Sequence, residues 1–401
     1  MARLLFVTGS LAHGGAERQS VAVMNRLAAR GYECHAIYIK SEAPGLLPRI
    51  RLAPGGTLRG LDAARYLDLR AADDFAGHLA RLRPSAIVAA NAYALMYASL
   101  ARLKSGWRAP LMVTYHSTRL ASLKERLQMA LYRLFFWTAD CLVFVCEAQR
   151  RYCLRRALWS RRHEVIYNGV DTDAFSGASN PAERATFGWR DADYVIGLTA
   201  VLRPEKNPVQ LVDAVGLLRA RGVPARALFV GDGVMRGAIE ARARALGIEA
   251  SVCVTGLQQD VRPWVAACDV VTLCSRTEAF SLAALEAMAL GKPVVHAEVG
   301  GAAEMVFPGD NGYLFPAGDT STFVDRLARL ANPAVRRRMG GRAREIAVLL
   351  FSESAMVDRY ERVLRELCAL GAAGPTGSWA PHGRDTERRN NRRQSTQECD
   401  P

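Results

Sequence analysis

The sequence predicts an α/β protein with two doubly wound parallel sheets that face each other across a cleft. Short apolar runs alternate with helical segments in both halves of the chain, which is typical of parallel strands joined by crossover helices. A stretch rich in turn-forming residues, from 166 to 181, separates the two series. The length of 401 residues suits two or three domains, since one domain usually takes roughly 100 to 200 residues.

The first half opens with a strand, a turn, a helix and a second strand. Residues 3–8 form an apolar run, Gly9 to Gly15 form the turn, and a helical pattern follows until Gly31. Residues 34–39 predict the next strand. Further short apolar runs occur at 86–90, 111–114 and 141–146. We therefore assign residues 1–165 to an N-terminal α/β domain.

The second half repeats this alternation and ends in a segment of different composition. Its predicted strands are 194–199, 226–230, 251–255, 269–273 and 293–297, with helices between them. This series predicts a second α/β domain over 166–370, whose last helix, about 352–368, is a candidate to pack back on the first domain. Residues 371–401 are rich in Gly, Pro, Ser, Asn and Arg, which predicts a disordered tail with solvated arginines.

Charge and cysteine content narrow the class of protein. Lys and Arg exceed Asp and Glu to give a formal net charge of +14, which favours anionic partners. The apolar stretch 280–290 is interrupted by Glu286, and the run Leu4 to Val7 is too short for a secretory signal. The nine cysteines form no C-x-x-C pair, so we expect neither a disulfide framework nor a zinc site. A reducing cytosol is the expected location.

The most informative stretch runs from Glu278 to the strand after Pro293. Ser281 is a good N-cap for an apolar helix over 282–290, and a glycine follows that helix. Glu278 then lies on the loop before the helix, at the end of a strand where doubly wound sheets bind ligands. Glu286 lies inside the apolar helix, where a carboxylate is costly unless it has a partner or accepts hydrogen bonds from a ligand. The free N–H groups at the start of the helix suit a phosphate.

Taken together, the motifs resemble the retaining glycosyltransferases of family 4, which have the GT-B fold of two Rossmann-like domains facing across a cleft. Glu278-x7-Glu286 carries the resemblance most specifically. The other motifs follow in the family's order and are Gly14-Gly15-Ala16-Glu17-Arg18, Thr114-x-His116, Asn168-Gly169-Val170-Asp171, Arg203-Pro204-Glu205-Lys206-Asn207, Gly231-Asp232-Gly233 and Asn311-Gly312-Tyr313-Leu314-Phe315. The resemblance covers about residues 1 to 365.

The resemblance implies a role for each matching residue. Glu286 would bind the ribose hydroxyls of a nucleotide donor, Glu278 would contact the donor sugar, and His116 would touch that sugar from the N-terminal domain. Lys206, with Arg203, would neutralise the diphosphate as it leaves. The backbone donors to the phosphate oxygens would be Gly14, Gly15, Phe280, Ser281 and Leu282.

One departure from the family pattern concerns the diphosphate. The family usually has a Gly-Arg pair at the positions held here by Ala200 and Val201. Arg203 either supplies the missing cation or faces solvent. Purely structural roles for the other residues also stay open, since His116 could be an interior histidine and Gly14-Gly15 could form an ordinary strand-to-helix turn.

The implied activity is a retaining hexosyltransferase that moves a sugar from a nucleotide diphosphate sugar to a glycan or lipid-linked acceptor, in bacterial surface polysaccharide assembly such as capsule, exopolysaccharide or lipopolysaccharide. No cofactor or metal is expected. Asp171-Thr-Asp173 superficially matches a metal-binding Asp-x-Asp motif, but it lies in the linker and the resemblance accounts for Asp171 as part of Asn-Gly-Val-Asp.

Two basic segments bear on the acceptor. Residues 119–137 alternate basic and bulky apolar groups with helical spacing, and residues 150–162 add six arginines. A basic amphipathic surface suits peripheral contact with the anionic inner face of the plasma membrane. The alternative is that Leu127, Leu131 and Leu134 belong to the core and the arginines are solvated.

Three other functions deserve comparison. A nicotinamide-dependent oxidoreductase is disfavoured because Gly9 to Gly15 lacks G-x-G-x-x-G and the second strand ends in Lys40 rather than an acidic residue. A nucleic-acid-binding protein would explain the charge, but the arginines are spread over both domains and no nucleic-acid module is recognised, so no nucleic acid is expected. A nucleotide-sugar epimerase with the GT-B fold stays open, because no motif separates it from a transferase.

Overall fold

A computed structural model of the chain describes residues 2–12, 14–41, 45–116, 123–177 and 181–372. The predicted tail, 371–401, lies outside these residues except for 371 and 372, which end the last helix. The first residues of the basic segment 119–137 also lie outside them, and the side chains of 123–127, including Leu127, are not described.

The N-terminal sheet has seven parallel strands in the order β3-β2-β1-β4-β5-β6-β7. Its strands are β1 (Arg3–Thr8), β2 (Glu33–Tyr38), β3 (Leu58–Gly60), β4 (Ala86–Ala90), β5 (Leu111–Tyr115), β6 (Cys141–Phe144) and β7 (His163–Val165). The central strands are buried on both faces, as expected for a sheet covered by crossover helices. Its helices are α1 (Gly15–Ala29), α2 (Leu69–Leu82), α3 (Asn91–Ser105), α4 (Leu123–Phe136) and α5 (Glu147–Leu154).

The C-terminal sheet has six parallel strands in the order β10-β9-β8-β11-β12-β13. Its strands are β8 (Tyr194–Thr199), β9 (Ala225–Val230), β10 (Val252–Val254), β11 (Val270–Leu273), β12 (Val294–Ala297) and β13 (Gly312–Phe315). Its helices are α6 (Pro181–Thr186), α7 (Val209–Ala220), α8 (Arg236–Ala245), α9 (Arg262–Ala267), α10 (Leu282–Ala289), α11 (Ala302–Met305), α12 (Thr320–Arg329), α13 (Pro333–Leu350) and α14 (Glu353–Ala372). Both domains are therefore doubly wound, and the predicted fold class is confirmed.

The sequence analysis missed three edge strands, namely β3 and β7 of the N-terminal sheet and β13 of the C-terminal sheet, whose residues entered only as part of a motif. Strands β3 and β7 have three residues each, and neither is fully buried. A strand of this length with partly exposed positions produces no apolar run, so periodicity does not reveal it. The strands that were found match their predicted bounds to within two residues, and β1, β4 and β8 match them at both ends.

The last helix, α14, packs against the N-terminal sheet although it follows the C-terminal domain. Its residues Met356, Val357 and Tyr360 belong to the same buried cluster as Leu4 and Phe6 of β1. Apolar residues three or four positions apart give this helix one apolar face, and burying that face ties the chain terminus back to the first domain. The helix starts beside the linker, since the Val170 N–H donates to the Phe351 carbonyl and the Glu353 N–H donates to that of Val170.

The two domains also meet at a polar contact made by Glu304 of α11. Its carboxylate accepts hydrogen bonds from the backbone N–H groups of Glu147 and Ala148, at 2.8 and 2.7 Å, and from the Tyr167 hydroxyl at 3.0 Å. A side chain of the C-terminal domain therefore caps helix α5 of the N-terminal domain. Gly301 lies beside this contact, where an added Cβ would fall 2.8 Å from the Cβ of Cys146, so a side chain would push the domains apart.

Helix α4 shows which face of the basic segment is covered. Met129, Tyr132 and Phe136 are buried, whereas Leu131 and Leu134 are exposed. The alternative that assigned these two leucines to the core is therefore wrong. Among the described helices, none combines the length and the apolar composition that crossing a membrane requires.

Candidate active site

A cavity of about 460 Å³ lies between the domains, at the carboxyl ends of the strands of both sheets. Residues from both domains line it, which is the position expected for a ligand of two facing doubly wound sheets. Among its lining residues are all but one of the predicted site residues, namely Gly14, Gly15, His116, Arg203, Lys206, Glu278, Phe280, Ser281 and Leu282. The exception, Glu286, lies one turn deeper in helix α10.

Lys206 and Glu278 form an ion pair in this cavity. Lys206 ends a single 3-10 turn after β8, and Glu278 lies on the loop between β11 and α10. The Lys206 Nζ atom is 2.5 Å from Glu278 Oε2, and the Ser275 hydroxyl donates to the same oxygen at 3.3 Å. The two loops are tied together by a backbone bond from the Arg276 N–H to the Glu205 carbonyl. A cation and a carboxylate thus lie side by side where sequence reasoning placed the reacting end of a donor.

Helix α10 begins at the cavity with the predicted cap. The Ser281 hydroxyl accepts from the Ala284 N–H at 3.4 Å, which confirms Ser281 as the N-cap. Leu282 and Ala283 of the first turn line the cavity, and the free amide groups at the start of a helix suit an anion. Leu282 lies against Gly15 of the other domain, because a Cβ added to Gly15 would be 3.5 Å from Leu282 Cδ1.

Phe280 supports the loop from behind rather than reaching a ligand with its ring. The ring is buried and stacks on Tyr167 at 5.1 Å between centroids, with Phe351 packed against it edge-on. The Phe280 carbonyl accepts from the Asn168 side chain at 3.1 Å. Phe280 therefore fastens the Glu278 loop to the linker between the domains.

The glycine turn after β1 offers one backbone donor, not two. The Gly14 N–H already donates to the Ala12 carbonyl at 2.8 Å, so it is not available to a phosphate. Gly15 is the first residue of α1, where N–H groups have no partner within the helix. Among the described residues none accepts from the Gly15 N–H. In this structure the Gly14 amide is thus engaged within the turn, and Gly15 as a donor to a phosphate stays a prediction.

His116 follows β5 and lines the cavity from the N-terminal side. Its backbone N–H donates to the Asn91 side chain at 2.9 Å, and Asn91 adopts the left-handed conformation at the start of α3. Burial lowers the pKa of His116 to about 4. The imidazole is therefore neutral at physiological pH. It can donate a hydrogen bond to a hydroxyl group or accept one from it, but it carries no positive charge.

Arg203 lies at the rim of the cavity. Its side chain is 63% exposed, and its nearest acid is Glu205 at 3.9 Å. Neither Ala200 nor Val201, at the positions where the family usually has Gly-Arg, can supply a charge. Lys206 is thus the better buried of the two cations near Glu278.

The linker acids are engaged within the protein. Asp171 Oδ1 accepts from the N–H groups of Asp173 and Ala174, and Asp171 Oδ2 lies 3.1 Å from Arg26. In the described part of the chain, no three His, Cys, Asp or Glu side chains cluster as a metal site requires. Independence from a metal stays a prediction.

The sequence analysis gave no role to several residues at the site. Ser275 holds Glu278, Asn91 holds the loop of His116, and Arg18 forms an ion pair with Glu286 from the opposite domain. Asn91 could have been found, since it is a polar residue directly after an apolar strand. Arg18 stands in the first glycine motif, but its pairing with Glu286 could not be predicted, because the two residues are 268 positions apart.

The chain matches two family models that together span most of its length. The model of the glycosyltransferase family 4 matches residues 13–174, and that of the glycosyl transferases group 1 matches residues 179–346.

Three relatives illustrate the similarity. EpsD of Bacillus subtilis is 31% identical over 226 residues, which cover 55% of this chain and 58% of EpsD, so the match spans little more than half of that relative. A D-inositol 3-phosphate glycosyltransferase of Kribbella flavida is 30% identical over 380 residues, covering 83% of this chain and 86% of the relative. The Vi polysaccharide biosynthesis protein VipC/TviE of Salmonella typhi is 29% identical over 190 residues, covering 46% of this chain and 33% of that protein.

A solved structure agrees with the fold. HepE of Anabaena, in complex with UDP-glucose, superimposes with a TM-score of 0.79 and 21% identity, covering 91% of this chain and all of HepE. This likeness supports the arrangement of two facing domains, the GT-B fold. With the family models and the Kribbella relative, it leads to one conclusion: the chain belongs to the group 1 glycosyltransferases of family 4.

Proposed function

We propose that the protein is a retaining glycosyltransferase that moves a hexosyl group from a nucleotide diphosphate sugar to a glycan or lipid-linked acceptor. The main support for this proposal is the Lys206–Glu278 ion pair near the N-terminus of α10, in a cavity lined by both domains. A nucleotide diphosphate sugar needs a cation for its diphosphate and an acceptor for its sugar hydroxyls, and these two side chains offer both.

The chemistry of such a donor fits this arrangement. Breaking a glycosyl–phosphate bond leaves negative charge on the diphosphate, so charge stabilisation of the leaving group matters more than a strong base. Lys206 and the first turn of α10 line the cavity from the C-terminal domain, and neutral His116 lines it from the N-terminal domain. Closure of the two domains over the donor would exclude water and limit hydrolysis.

The relatives support the donor class and the pathway. HepE of Anabaena has been crystallised with UDP and with UDP-glucose. VipC/TviE of Salmonella typhi is named for Vi polysaccharide biosynthesis. We infer a nucleotide diphosphate sugar donor and a role in bacterial surface polysaccharide assembly on the cytoplasmic side of the membrane, with no cofactor or metal.

A thermal-shift screen tests the donor. The purified protein is heated with UDP, GDP, ADP and their common sugar conjugates, with NAD and a short oligonucleotide as controls. A ligand that binds only the folded state raises the melting midpoint, by an amount equivalent to about 2.7 kcal/mol at a hundred times its Kd. We expect one nucleotide series to raise it, which would also name the base. A shift with NAD or the oligonucleotide alone would contradict the proposal.

Retention and transfer are then tested on the product. The anomeric configuration of the new linkage, read by NMR, should match that of the donor sugar. An epimerase would instead change the sugar of the nucleotide donor without any acceptor, so incubation with donor alone separates the two activities.

We further propose that one flank of the N-terminal domain rests on an anionic membrane surface. Trp137 and Trp159 are 59% and 56% exposed, and Leu103 is exposed at the end of α3. The segments of the two tryptophans are neighbours, because Arg161, two residues after Trp159, lies 3.6 Å from Asp140, three residues after Trp137. Exposed tryptophans among arginines are typical of protein surfaces at the membrane interface. Leu131 and Leu134 of helix α4, which ends one residue before Trp137, are exposed as well.

Vesicle co-sedimentation tests this surface. We expect binding to vesicles of phosphatidylcholine with phosphatidylglycerol, little binding to phosphatidylcholine alone, and weakening by salt. The Trp137→Ala/Trp159→Ala double variant should bind several-fold less. Leu349→Ala, an exposed apolar residue of the C-terminal domain, is the matched control and should bind as the unaltered protein does. Equal binding by the double variant would refute this surface.

A further inference from the structure

An ion pair crosses the cleft between helices α1 and α10. It joins Nη2 of Arg18, in the first turn of α1, to Oε1 of Glu286. Glu286 is 3% exposed, and its neighbours Leu285, Ala287 and Met288 in α10 are buried and apolar. A carboxylate in such surroundings needs a partner to remain charged. Here the partner comes from the opposite domain.

The position of the pair separates two cavities. Arg18 and Leu282 line both the cavity of about 460 Å³ and a second one of about 510 Å³, whereas Glu286 lines only the second. Among the described residues, Arg18 supplies the only ion pair of Glu286, and no hydrogen bond reaches Oε2. One carboxylate oxygen is thus held by arginine and the other is left for a ligand.

The remaining charges near Glu286 are paired elsewhere. Arg26, Asp171 and Glu353 line the second cavity, and Arg26 contacts both of these acids. Arg49 lines it too and donates to the Gln259 carbonyl at 3.1 Å. From α13, which packs against α10, Arg344 donates to the Ala289 carbonyl at the far end of the helix. Arg18 is therefore the cation that compensates the charge of Glu286.

We propose that Arg18 is a positioning residue for the nucleotide ribose. It compensates the charge of Glu286 and holds Oε1, so that Oε2 can accept a hydrogen bond from a ribose hydroxyl. Because Arg18 belongs to the N-terminal domain, the ribose site is complete only while the two domains are closed. Donor recognition and domain closure are thereby coupled through one ion pair. This inference rests on the proposed function, since it requires a nucleotide donor.

Calorimetric titration with UDP, GDP and ADP tests the inference. The unaltered protein should bind one of them. In Arg18→Ala the carboxylate of Glu286 loses the group that holds Oε1, so Oε2 is no longer fixed for the ribose hydroxyl. We expect the Kd of that nucleotide to rise about tenfold, the usual cost of losing a hydrogen bond to a charged group. Arg18→Lys keeps the cation and should restore part of the affinity.

Further variants separate this role from a structural one. Arg18→Gln keeps a hydrogen-bond donor without the charge, so it should also weaken binding, even if Arg18→Ala does not fold. In a Glu286→Gln background, Arg18→Gln should cause no further loss of affinity, because Arg18 acts through that carboxylate, whereas a merely structural role would add its own loss. Arg26→Ala, which removes another contact between α1 and the linker, is the matched control and should bind with the Kd of the unaltered protein.

Two outcomes would overturn the inference and one would overturn its basis. Tighter binding by Arg18→Ala would mean that Arg18 competes with the ribose for Glu286. A Kd equal to that of the unaltered protein would mean that Arg18 has no part in the site. Failure of the unaltered protein to bind any of the three nucleotides would refute the proposed function itself, and the inference with it.

Discussion

Replacing Lys206 by alanine is expected to lower kcat about a hundredfold or more, since that is the usual cost of removing one group that stabilises charge in a transition state. Lys206 Nζ lies 2.5 Å from Glu278, and both residues line the central cavity. The ammonium group would meet the diphosphate as its charge develops. Its effect should therefore fall on kcat more than on the donor KM. Initial rates with the donor identified by the thermal screen give both constants.

Arg203→Ala is the matched control for Lys206→Ala. Arg203 belongs to the same loop and carries the same charge, but it is 63% exposed and 3.9 Å from its nearest acid. Solvent screening weakens the contribution of such a charge. We expect a loss of less than about tenfold in kcat for this variant. If both variants lost activity equally, Arg203 would share the role of the arginine that the family usually has at the position of Val201. An unchanged kcat in Lys206→Ala would contradict the assignment of Lys206.

Replacing Glu286 by alanine is expected to raise the donor KM about tenfold to a hundredfold while kcat changes little. Hydrogen bonds from ribose hydroxyls to a charged carboxylate contribute roughly 1.5 to 3 kcal/mol, and the ribose does not change during transfer. The fold should survive, because the side chain of Arg18 is 37% exposed and water can solvate it once Glu286 is gone. Circular dichroism and the melting midpoint would check the fold.

Glu278→Ala supplies the contrast for Glu286→Ala. Glu278 lies beside Lys206, where we propose that the donor reacts, so its loss should lower kcat rather than raise KM alone. The two carboxylates of one motif should therefore separate into a binding residue and a residue of the chemical step. Unchanged donor affinity in Glu286→Ala would remove the ribose assignment.

The strands at the centre of each sheet, and the helices that connect them, could be predicted from the sequence. Strand β1, the turn after it and the cap at Ser281 were all predicted, because each depends on neighbouring residues. Edge strands β3 and β7 escaped prediction because they are short and partly exposed. The role of Phe280 was also anticipated only in part, since stacking on Tyr167 depends on a contact between distant segments.

The sequence by itself determined the class of fold, the cleft and the identity of the central residues. Periodicity, capping and the spacing of Glu278 and Glu286 are local properties, so they can be read along the chain. Only the tertiary structure decided which charges meet. Arg18 forms an ion pair with Glu286, Glu304 caps α5, and the Gly14 N–H donates to the Ala12 carbonyl. The first two contacts join residues from different domains, and the pairing of a buried charge depends on which groups the packed domains bring within a few ångströms of it.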